Sequence, residues 1–197
     1  MTYLDKLNKV SKVYGGVKKK IKNIVELDFQ EKLQKNIKSK KIIAQKSVDL
    51  INDNDVIFLD AGSTTLKMID YINENNLLIV TNNIDIAKIL ANKNIDYVLI
   101  GGKLRIQTNA LIGDLALRNL SYFKFDKVFL GANAIDDDHI YTTNLSECLI
   151  KQEVIKNSEN TYFLIDKSKF NSKSSHIIID RKNINVISED GMEITNE

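Results

Sequence analysis

From residue 55 onward, the hydrophobic residues of the chain come in short continuous runs separated by polar segments. Runs rich in Ile, Val and Phe that are bounded by Asp, Asn or Gly are typical of strands buried on both faces of a sheet. The pattern predicts seven such strands, at residues 56–59, 77–80, 97–100, 128–130, 162–165, 177–179 and 184–187.

Helical segments lie between several of these runs, at about residues 63–74, 83–93, 110–121 and 144–157. An alternation of strands and helices is typical of an α/β domain. We therefore predict an α/β fold with a mainly parallel central sheet and flanking helices.

Upstream of the first strand, residues 31–51 carry hydrophobic side chains at the helical period, which predicts one amphipathic helix. Lys40 lies near the centre of the hydrophobic face of this helix. Burying a lysine there costs free energy unless its amine reaches water or meets an anion. Two interpretations therefore stay open: the helix breaks near Ser39, or Lys40 points into a binding site.

Charged residues are distributed unevenly along the chain, which has a formal net charge of +2. Residues 1–46 have 13 lysines and four carboxylates, and the remainder has a net charge of −7. This division predicts a basic arm beside a neutral-to-acidic body. The arm is either a solvated linker or a segment that faces nucleic acid.

The length of 197 residues allows one domain, or one and a fraction. The chain has no uninterrupted hydrophobic stretch of about 18 residues and no signal peptide, so we expect a cytoplasmic protein with no membrane partner. Cys148 and the two histidines make a poor zinc site, and no dinucleotide or Walker fingerprint is present. We therefore expect neither a metal nor a cofactor.

The strongest local motif is Asp-Ala-Gly-Ser-Thr-Thr at residues 60–65, directly after the first predicted strand. Gly62 lets backbone N–H groups approach a ligand, the start of a helix adds partial positive charge, and Ser63, Thr64 and Thr65 add hydroxyl donors. The loop, with Asp60 included, is therefore either a phosphate site or an ordinary cap on a strand-to-helix turn.

Four other predicted strands end in glycine or in polar residues. Ligands of open α/β sheets bind at the carboxyl ends of the strands, so we expect these ends to converge with residues 60–65. Together with Lys40 they predict a pocket for a small, phosphorylated, hydroxyl-rich molecule. The candidate residues at these ends are Thr81, Asn82, Gly101, Gly102, Gly131, Ala132, Asp166 and Lys169.

Glu147 and Lys151 are one helical turn apart on the predicted helix at 144–157. As a solvent-exposed pair they would stabilise the helix by about 0.2–0.5 kcal/mol. The alternative is that both side chains contact a ligand beside residues 142–144.

These motifs, in this order, resemble the effector-sensing C-terminal domain of DeoR-family bacterial transcriptional regulators. The resemblance covers about residues 10–188, and its specificity comes from the ordered spacing. The matching stretches are residues 13–16, 40–44, 57–65, 80–83, 100–102, 125–132 and 166–170.

The resemblance implies a sensor of phosphorylated sugars or related phosphometabolites, with a fold similar to ribose-5-phosphate isomerase and the CoA transferases. It implies that residues 62–65 hold the phosphate group. It also implies that Asp166 and Lys169, with Lys32 and Lys40, matter for the response to the effector. We further expect the chain to act as a homo-oligomer.

Members of this family carry an N-terminal winged helix-turn-helix, and the Tyr-Gly-Gly turn at residues 14–16 resembles its trailing edge. The resemblance therefore divides the chain into a remnant of the DNA-binding wing and linker at residues 1–30 and a sensing domain at residues 31–197. We expect contact with DNA only through a helix-turn-helix that this chain lacks.

The alternative function is a sugar-phosphate isomerase on the same fold. Shuttling a proton between neighbouring carbons needs a positioned base. Isomerases of that superfamily carry Asp-Gly-Ala-Asp-Glu where this chain has Leu-Gly-Ala-Asn-Ala at residues 130–134, so all three carboxylates are missing. A binding domain is therefore favoured over an enzyme.

Overall fold

The computed structural model describes residues 10–13, 16–19, 22–23, 28–73, 76–93, 95–182 and 184–194. A single 3-10 turn lies at Lys167–Lys169. The α-helices in these segments are α1 Phe29–Gln34, α2 Ile37–Val48, α3 Ser63–Met68, α4 Ile84–Leu90, α5 Asp114–Leu120 and α6 Leu145–Lys156.

The strands of the first half of the chain are β1 Val10–Val13, β2 Gly16–Lys19, β3 Lys22–Asn23, β4 Val56–Leu59, β5 Leu78–Thr81, β6 Asp96–Leu99, β7 Lys103–Arg105 and β8 Ala110–Ile112. Those of the second half are β9 Phe125–Gly131, β10 Ala134–Ile135, β11 His139–Thr142, β12 Ser158–Leu164, β13 Ser172–Lys173, β14 His176–Asp180, β15 Asn185–Ser188 and β16 Gly191–Ile194.

Seven strands form the central sheet, in the order β16-β15-β12-β9-β4-β5-β6. All neighbours are parallel except β15 and β16, which form an antiparallel pair. The predicted fold class is therefore confirmed. Because the parallel strands all end at the same edge, the loops that follow β4, β9 and β12 lie side by side.

Shorter pairings surround this sheet. Strands β7 and β8 form an antiparallel hairpin, and β10, β11 and β14 form an antiparallel sheet of three strands. Strand β13 pairs in parallel with β3, so residues 22–23 are attached to the body of the domain. Strands β1 and β2 pair antiparallel across the predicted turn, whose Tyr14 and Gly15 lie outside the described residues.

Both faces of the central sheet are buried. Alternate residues of a strand point to opposite faces, and accordingly Phe58 and Leu130 lie in one cluster with α5 and α6, whereas Ile57, Leu59 and Phe129 lie in the other with α2, α3 and α4. Burying each such side chain stabilises the fold by about 1.5–3 kcal/mol. The sheet thus separates α2 and α3 from α6.

Six of the seven predicted strands lie in the central sheet. The seventh, at residues 177–179, is part of β14 in the small antiparallel sheet, where Ile177 is exposed and Ile178 is buried. The predicted helix at 110–121 begins only at Asp114, because residues 110–112 form β8. The predicted helix at 63–74 ends at Met68.

The predicted single helix at residues 31–51 is two helices, because Asn36 has a left-handed φ of 53°. The side-chain amide of Asn36 donates to Asp166 Oδ1 at 2.9 Å and to Ser168 Oγ at 3.0 Å. These tertiary hydrogen bonds stabilise the interruption, which lies at Asn36 and not near Ser39. None of the helices in the described segments is long and hydrophobic enough to cross a membrane.

The β7–β8 hairpin packs closely against the residue that precedes it. Gly102 has a φ of +152°, and a Cβ at this position would lie 2.8 Å from the carbonyl oxygen of Ile112. Glycine is therefore required here both by backbone conformation and by the close approach of the hairpin.

We predict that Gly102→Ala lowers the free energy of unfolding by about 1–3 kcal/mol more than Gly191→Ala does. Gly191 has a φ of +153°, but nothing lies within 4 Å of a Cβ built there. The second variant therefore has the backbone strain without the steric conflict. Urea denaturation measures both losses, and equal losses would contradict the close packing of the hairpin.

Candidate functional site

A cleft of about 440 Å³ opens at the carboxyl edge of the central sheet. Six parts of the chain line it. One wall, which we call the α1–α2 wall, consists of Lys32, Lys35, Asn36 and Lys40. The loops after β4, β9 and β12 form the floor and the opposite side, and α6 and the loop between β7 and β8 close the far end. The cleft is therefore built where the parallel topology predicts a ligand site.

The β4–α3 loop contributes residues 60–64 to the cleft. Thr65 holds this loop in place: its hydroxyl lies 2.6 Å from the carbonyl oxygen of Asp60 and 2.8 Å from that of Gly62, and it accepts the Gly62 amide at 3.1 Å. Thr65 thus positions the loop without lining the cleft.

Ser63 and Thr64 begin helix α3, so their backbone amides have no acceptor within the helix. Their side chains are nearly buried, yet neither hydroxyl forms a hydrogen bond with any residue that the structure describes. Two amides and two hydroxyls therefore face the cleft as available donors.

The carboxylate of Asp60 connects the β4–α3 loop to two other elements. Its Oδ2 accepts a hydrogen bond from the Gly131 amide at 3.0 Å and forms an ion pair with Lys151 of α6. The side chains of Lys151 and Asp60 are only 6% and 5% exposed. A Cβ on Gly131 would lie 3.4 Å from Asp60 Oδ2 and 3.8 Å from the Gly62 Cα, so the loops after β4 and β9 are in contact.

Two lysines of the cleft are held in an environment that disfavours their charge. Lys40 is 4% exposed, and its amine donates to the carbonyl oxygen of Lys32. Burial, followed by the positive charge of Lys169, lowers the pKa of Lys40 from its ordinary value of 10.5 to about 8. An anion placed beside Lys40 would therefore stabilise the charged form of its amine.

Lys169 belongs to the loop after β12, which also contributes Asp166 and Ser168 to the cleft. Its amine donates to the carbonyl oxygen of Ala132 at 2.7 Å and lies 4.0 Å from Asp166 Oδ2. Burial lowers the pKa of Lys169 despite the opposing effect of Asp166. The loop after β9 completes this side with residues 131–133.

Glu147 and Thr108 form the end of the cleft that lies on α6, which we call the distal end. The Thr108 hydroxyl donates to Glu147 Oε1 at 2.6 Å, and Arg105 Nη1 lies 3.4 Å from the same oxygen. Glu147 and Lys151 are both buried and have different partners, so they do not form the solvent-exposed pair that was one interpretation of their spacing.

Twelve of the seventeen sequence-predicted site residues line the cleft, and five do not. Besides Thr65, these are residues that shape neighbouring strand ends. The Thr81 hydroxyl donates to the carbonyl oxygen of Leu59 at 2.7 Å, and the Asn82 side chain faces Leu111. The twelve are Lys32, Lys40, Asp60, Gly62, Ser63, Thr64, Gly131, Ala132, Glu147, Lys151, Asp166 and Lys169.

The remaining two, Gly101 and Gly102, connect β6 to the hairpin: the Gly101 amide donates to Asn119 Oδ1 at 2.8 Å. Six lining residues were not predicted from the sequence. Ala61 and Ser168 stand inside the matching stretches and Asn133 directly follows one, so these three could have been found there. The other three have no sequence signal: Lys35, Asn36 and Thr108.

Comparisons with known proteins define the class to which this chain belongs. Residues 35–191 match the family described as the DeoR C terminal sensor domain. The chain therefore belongs to the DeoR C-terminal sensor domain family, which confirms the resemblance seen in the motifs. The matched segment lies inside the predicted sensing domain, whose boundary at residue 31 stays a prediction.

Named regulators are similar to this chain over nearly its whole length. It is 34% identical over 197 residues to the uncharacterized HTH-type transcriptional regulator FruR of Bacillus subtilis, a match that covers 99% of this chain and 78% of the relative. It is 30% identical over 195 residues to the lactose phosphotransferase system repressor of Staphylococcus epidermidis, covering 97% of this chain and 78% of that one.

Solved structures share the fold at much lower identity. The Pyrococcus horikoshii OT3 translation initiation factor eIF-2B superposes with a TM-score of 0.59 at 17% identity, over 84% of this chain and 68% of that one. Ribose 5-phosphate isomerase A of Neisseria gonorrhoeae superposes with a TM-score of 0.50 at 20% identity, over 68% of this chain and 53% of that one. The expected likeness to the isomerase fold is confirmed.

The separate positions of Thr64 and Thr65 lead to a prediction about stability. Thr65→Val removes a buried hydroxyl that bonds the β4–α3 loop, and we expect a loss of about 1–3 kcal/mol in the free energy of unfolding. Thr64→Val has the same change in shape, but its hydroxyl faces the cleft, so we expect a change within about 0.5 kcal/mol. Chemical denaturation without ligand checks both, and equal effects would contradict the assignment of Thr65 to the loop.

Proposed function

We propose that the cleft binds a phosphorylated sugar as the effector of a DeoR-type transcriptional regulator, with the phosphate group at the start of α3. The observation that carries this proposal is the set of uncommitted donors at Ser63 and Thr64, which open onto the same cleft as Lys40 and Lys169. A phosphate group near pH 7 carries close to two negative charges and has three acceptor oxygens.

The charge of the cleft supports an anionic ligand. Five lysines and three carboxylates are among its lining residues. Asp60 is already paired with Lys151, and Glu147 with Arg105. Positive charge is therefore in excess on the side formed by the α1–α2 wall and Lys169, and this excess faces the start of α3.

The rest of the cleft supports a hydroxyl-rich ligand. Its volume of about 440 Å³ is within the usual range for small-molecule sites. The side chains of Asn133, Glu147 and Asp166 offer acceptors for hydroxyl groups. A close relative is named a lactose phosphotransferase system repressor, which fits an effector that comes from sugar metabolism.

We further propose that this domain senses its ligand and does not convert it. Leu130 and Ala134, which stand at two of the isomerase carboxylate positions, are fully buried in the hydrophobic core. Asn133 stands at the third and accepts a hydrogen bond from the Thr142 hydroxyl at 3.0 Å. The alternative, a sugar-phosphate isomerase, would need Glu147 to act as the base, and turnover of ribose 5-phosphate above the buffer rate would favour it.

Ligand binding would be transmitted through the α1–α2 wall. Strand β3, which precedes this wall in the chain, pairs with β13 of the body, and Asn36 at the helix break is bonded to Asp166 and Ser168 of the opposite loop. An anion between Lys40 and Lys169 would tie the two sides together. A ligand shifts such an equilibrium by its differential affinity for the two states. In a full-length homo-oligomeric relative, the favoured position of the wall would set the spacing of paired DNA-binding units.

The experiment that tests the proposed function measures binding and its dependence on Lys40. A thermal-shift panel of pentose and hexose phosphates selects the strongest ligand, which is then titrated by calorimetry. We predict that Lys40→Met lowers its affinity by about 10- to 150-fold, because a charge-assisted hydrogen bond contributes about 1.5–3 kcal/mol.

The matched control is Lys41→Met, because Lys41 is the next residue of α2 and is exposed. It should bind as the unaltered protein does. Ligand should also slow hydrogen exchange of residues 31–51 in the unaltered protein and not in Lys40→Met. Unchanged affinity in Lys40→Met together with unchanged exchange would contradict the proposal.

The lowered pKa of Lys40 predicts how affinity depends on pH. With a pKa of about 8, Lys40 is mostly charged at pH 7 and mostly neutral at pH 9. The bound phosphate raises the pKa of Lys40. The affinity of the protein for the phosphorylated ligand is therefore greatest below pH 8, and it decreases by up to about tenfold between pH 7 and 9. The phosphate remains doubly charged throughout, since its second pKa is about 6.

Calorimetry at the two pH values checks this prediction. Lys40→Met should show a smaller decrease, which is due to Lys169 alone, since burial also lowers the pKa of Lys169. Equal affinity of the unaltered protein at both pH values would contradict a direct contact between the phosphate and Lys40.

A further inference from the structure

The two ends of the cleft lie on opposite sides of the central sheet. Helices α2 and α3 pack in one hydrophobic cluster, with Ile57 and Leu59, and α6 packs in the other, with Phe58. The start of α3 and Lys40 are therefore on one side of the sheet edge, and Glu147 at the distal end is on the other. A ligand whose phosphate binds at α3 must cross the sheet edge to reach Glu147.

Glu147 is fixed by two neighbours from the β7–β8 hairpin. Both Thr108 and Arg105 contact its Oε1, at 2.6 and 3.4 Å. Its Oε2 forms no hydrogen bond with any residue in the described segments, although the side chain is only 10% exposed. One carboxylate oxygen is therefore available at the distal end as an acceptor, and it accepts only from a donor such as a hydroxyl group.

The carboxylate of Glu147 also disfavours the binding of a second anionic group at the distal end of the cleft. In the part of the chain that the structure describes, Arg105 is the cation that pairs with Glu147, and it is also bonded to Thr108. Lys151, one turn further along α6, is paired with Asp60. An anion at the distal end would have to separate the Arg105–Glu147 pair and would leave a nearly buried carboxylate beside a like charge, which is unfavourable.

Resting on the proposed function, we infer that Glu147 restricts the effector to compounds whose end opposite the phosphate is neutral and bears hydroxyl groups. Sugar monophosphates satisfy this condition. Sugar bisphosphates and phosphorylated sugar acids do not. Glu147 is thus a specificity-determining residue, and it acts by accepting a hydroxyl and by repelling an anion.

Two matched pairs of ligands test this inference by calorimetry. Glucitol 6-phosphate and 6-phosphogluconate are both open-chain compounds that differ only at the carbon opposite the phosphate, which is a neutral CH2OH group in the first and a carboxylate in the second. Fructose 6-phosphate and fructose 1,6-bisphosphate differ by the second phosphate. In each pair we expect the neutral member to bind at least tenfold more tightly. Inorganic phosphate, which reaches only the α3 end, is the reference ligand.

The variant Glu147→Gln removes the repulsion and releases Arg105 from its partner. The preference for the neutral member should therefore fall at least tenfold in each pair, because the neutral ligand loses affinity while the anionic ligand gains it. A merely structural defect would weaken both members alike. Affinity for inorganic phosphate should not change. The control is Glu153→Gln on the same helix, since Glu153 bonds Asn157 and lies away from the cleft; its preferences should match those of the unaltered protein.

The outcomes separate the two levels of the proposal. Equal or tighter binding of the anionic members by the unaltered protein would overturn the inference about Glu147 and leave the phosphate site intact. Binding of inorganic phosphate without binding of any neutral member would overturn it as well. Absence of binding by every ligand, inorganic phosphate included, would remove the proposed function and this inference together.

Discussion

The buried carboxylate of Asp60 is the point at which three elements of the cleft are joined. It follows β4, accepts the amide of Gly131 at the end of β9, and pairs with Lys151 of α6. Separating either charge from the other inside the protein would be strongly destabilising, because it would leave an uncompensated buried ion. The interaction therefore fixes α6 to the sheet edge, and it also places the β4–α3 loop beside the loop that follows β9.

This arrangement leaves positive charge in excess at one end of the cleft. The strand ends and α6 use their charges on each other, through the Asp60–Lys151 and Glu147–Arg105 pairs. The amines of Lys40 and Lys169 instead donate to carbonyl oxygens, and Lys169 also lies 4.0 Å from the carboxylate of Asp166. The free donors of Ser63 and Thr64 lie on the same side as these lysines. This chain shares its fold with ribose 5-phosphate isomerase A, and Leu130 and Ala134 are buried core residues at two of the three positions where the isomerases were expected to have carboxylates.

The sequence was sufficient for those parts of the fold that follow from continuous patterns. Buried parallel strands are uniformly hydrophobic, so the central strands were predicted with small errors at their ends. The hairpin of β7 and β8 was not predicted, because its strands have three residues each and no clear alternation. The position of the helix break depends on hydrogen bonds from Asn36 to residues about 130 positions later, which no local pattern contains.

The residues of the candidate site likewise divide into those that a local sequence pattern predicts and those that only the fold brings together. Asp60, residues 62–64 and Lys40 were predicted because a strand-to-helix turn and a lysine on a hydrophobic face are visible in the sequence. Thr65 belongs to the same motif, but only the structure shows that its hydroxyl holds the loop. The role of Arg105 and Thr108 at the distal end depends on the packing of the hairpin against α6, so it could not be predicted before the fold was known.

The most direct test of the central claim is an NMR titration of the protein with glucose 6-phosphate that follows assigned backbone amides. A phosphate at the start of α3 must contact the amides of Ser63 and Thr64. We therefore predict large chemical-shift changes of both amide resonances that saturate at a stoichiometry of one ligand per chain. Unshifted resonances at Ser63 and Thr64 while other residues report saturable binding would contradict the account.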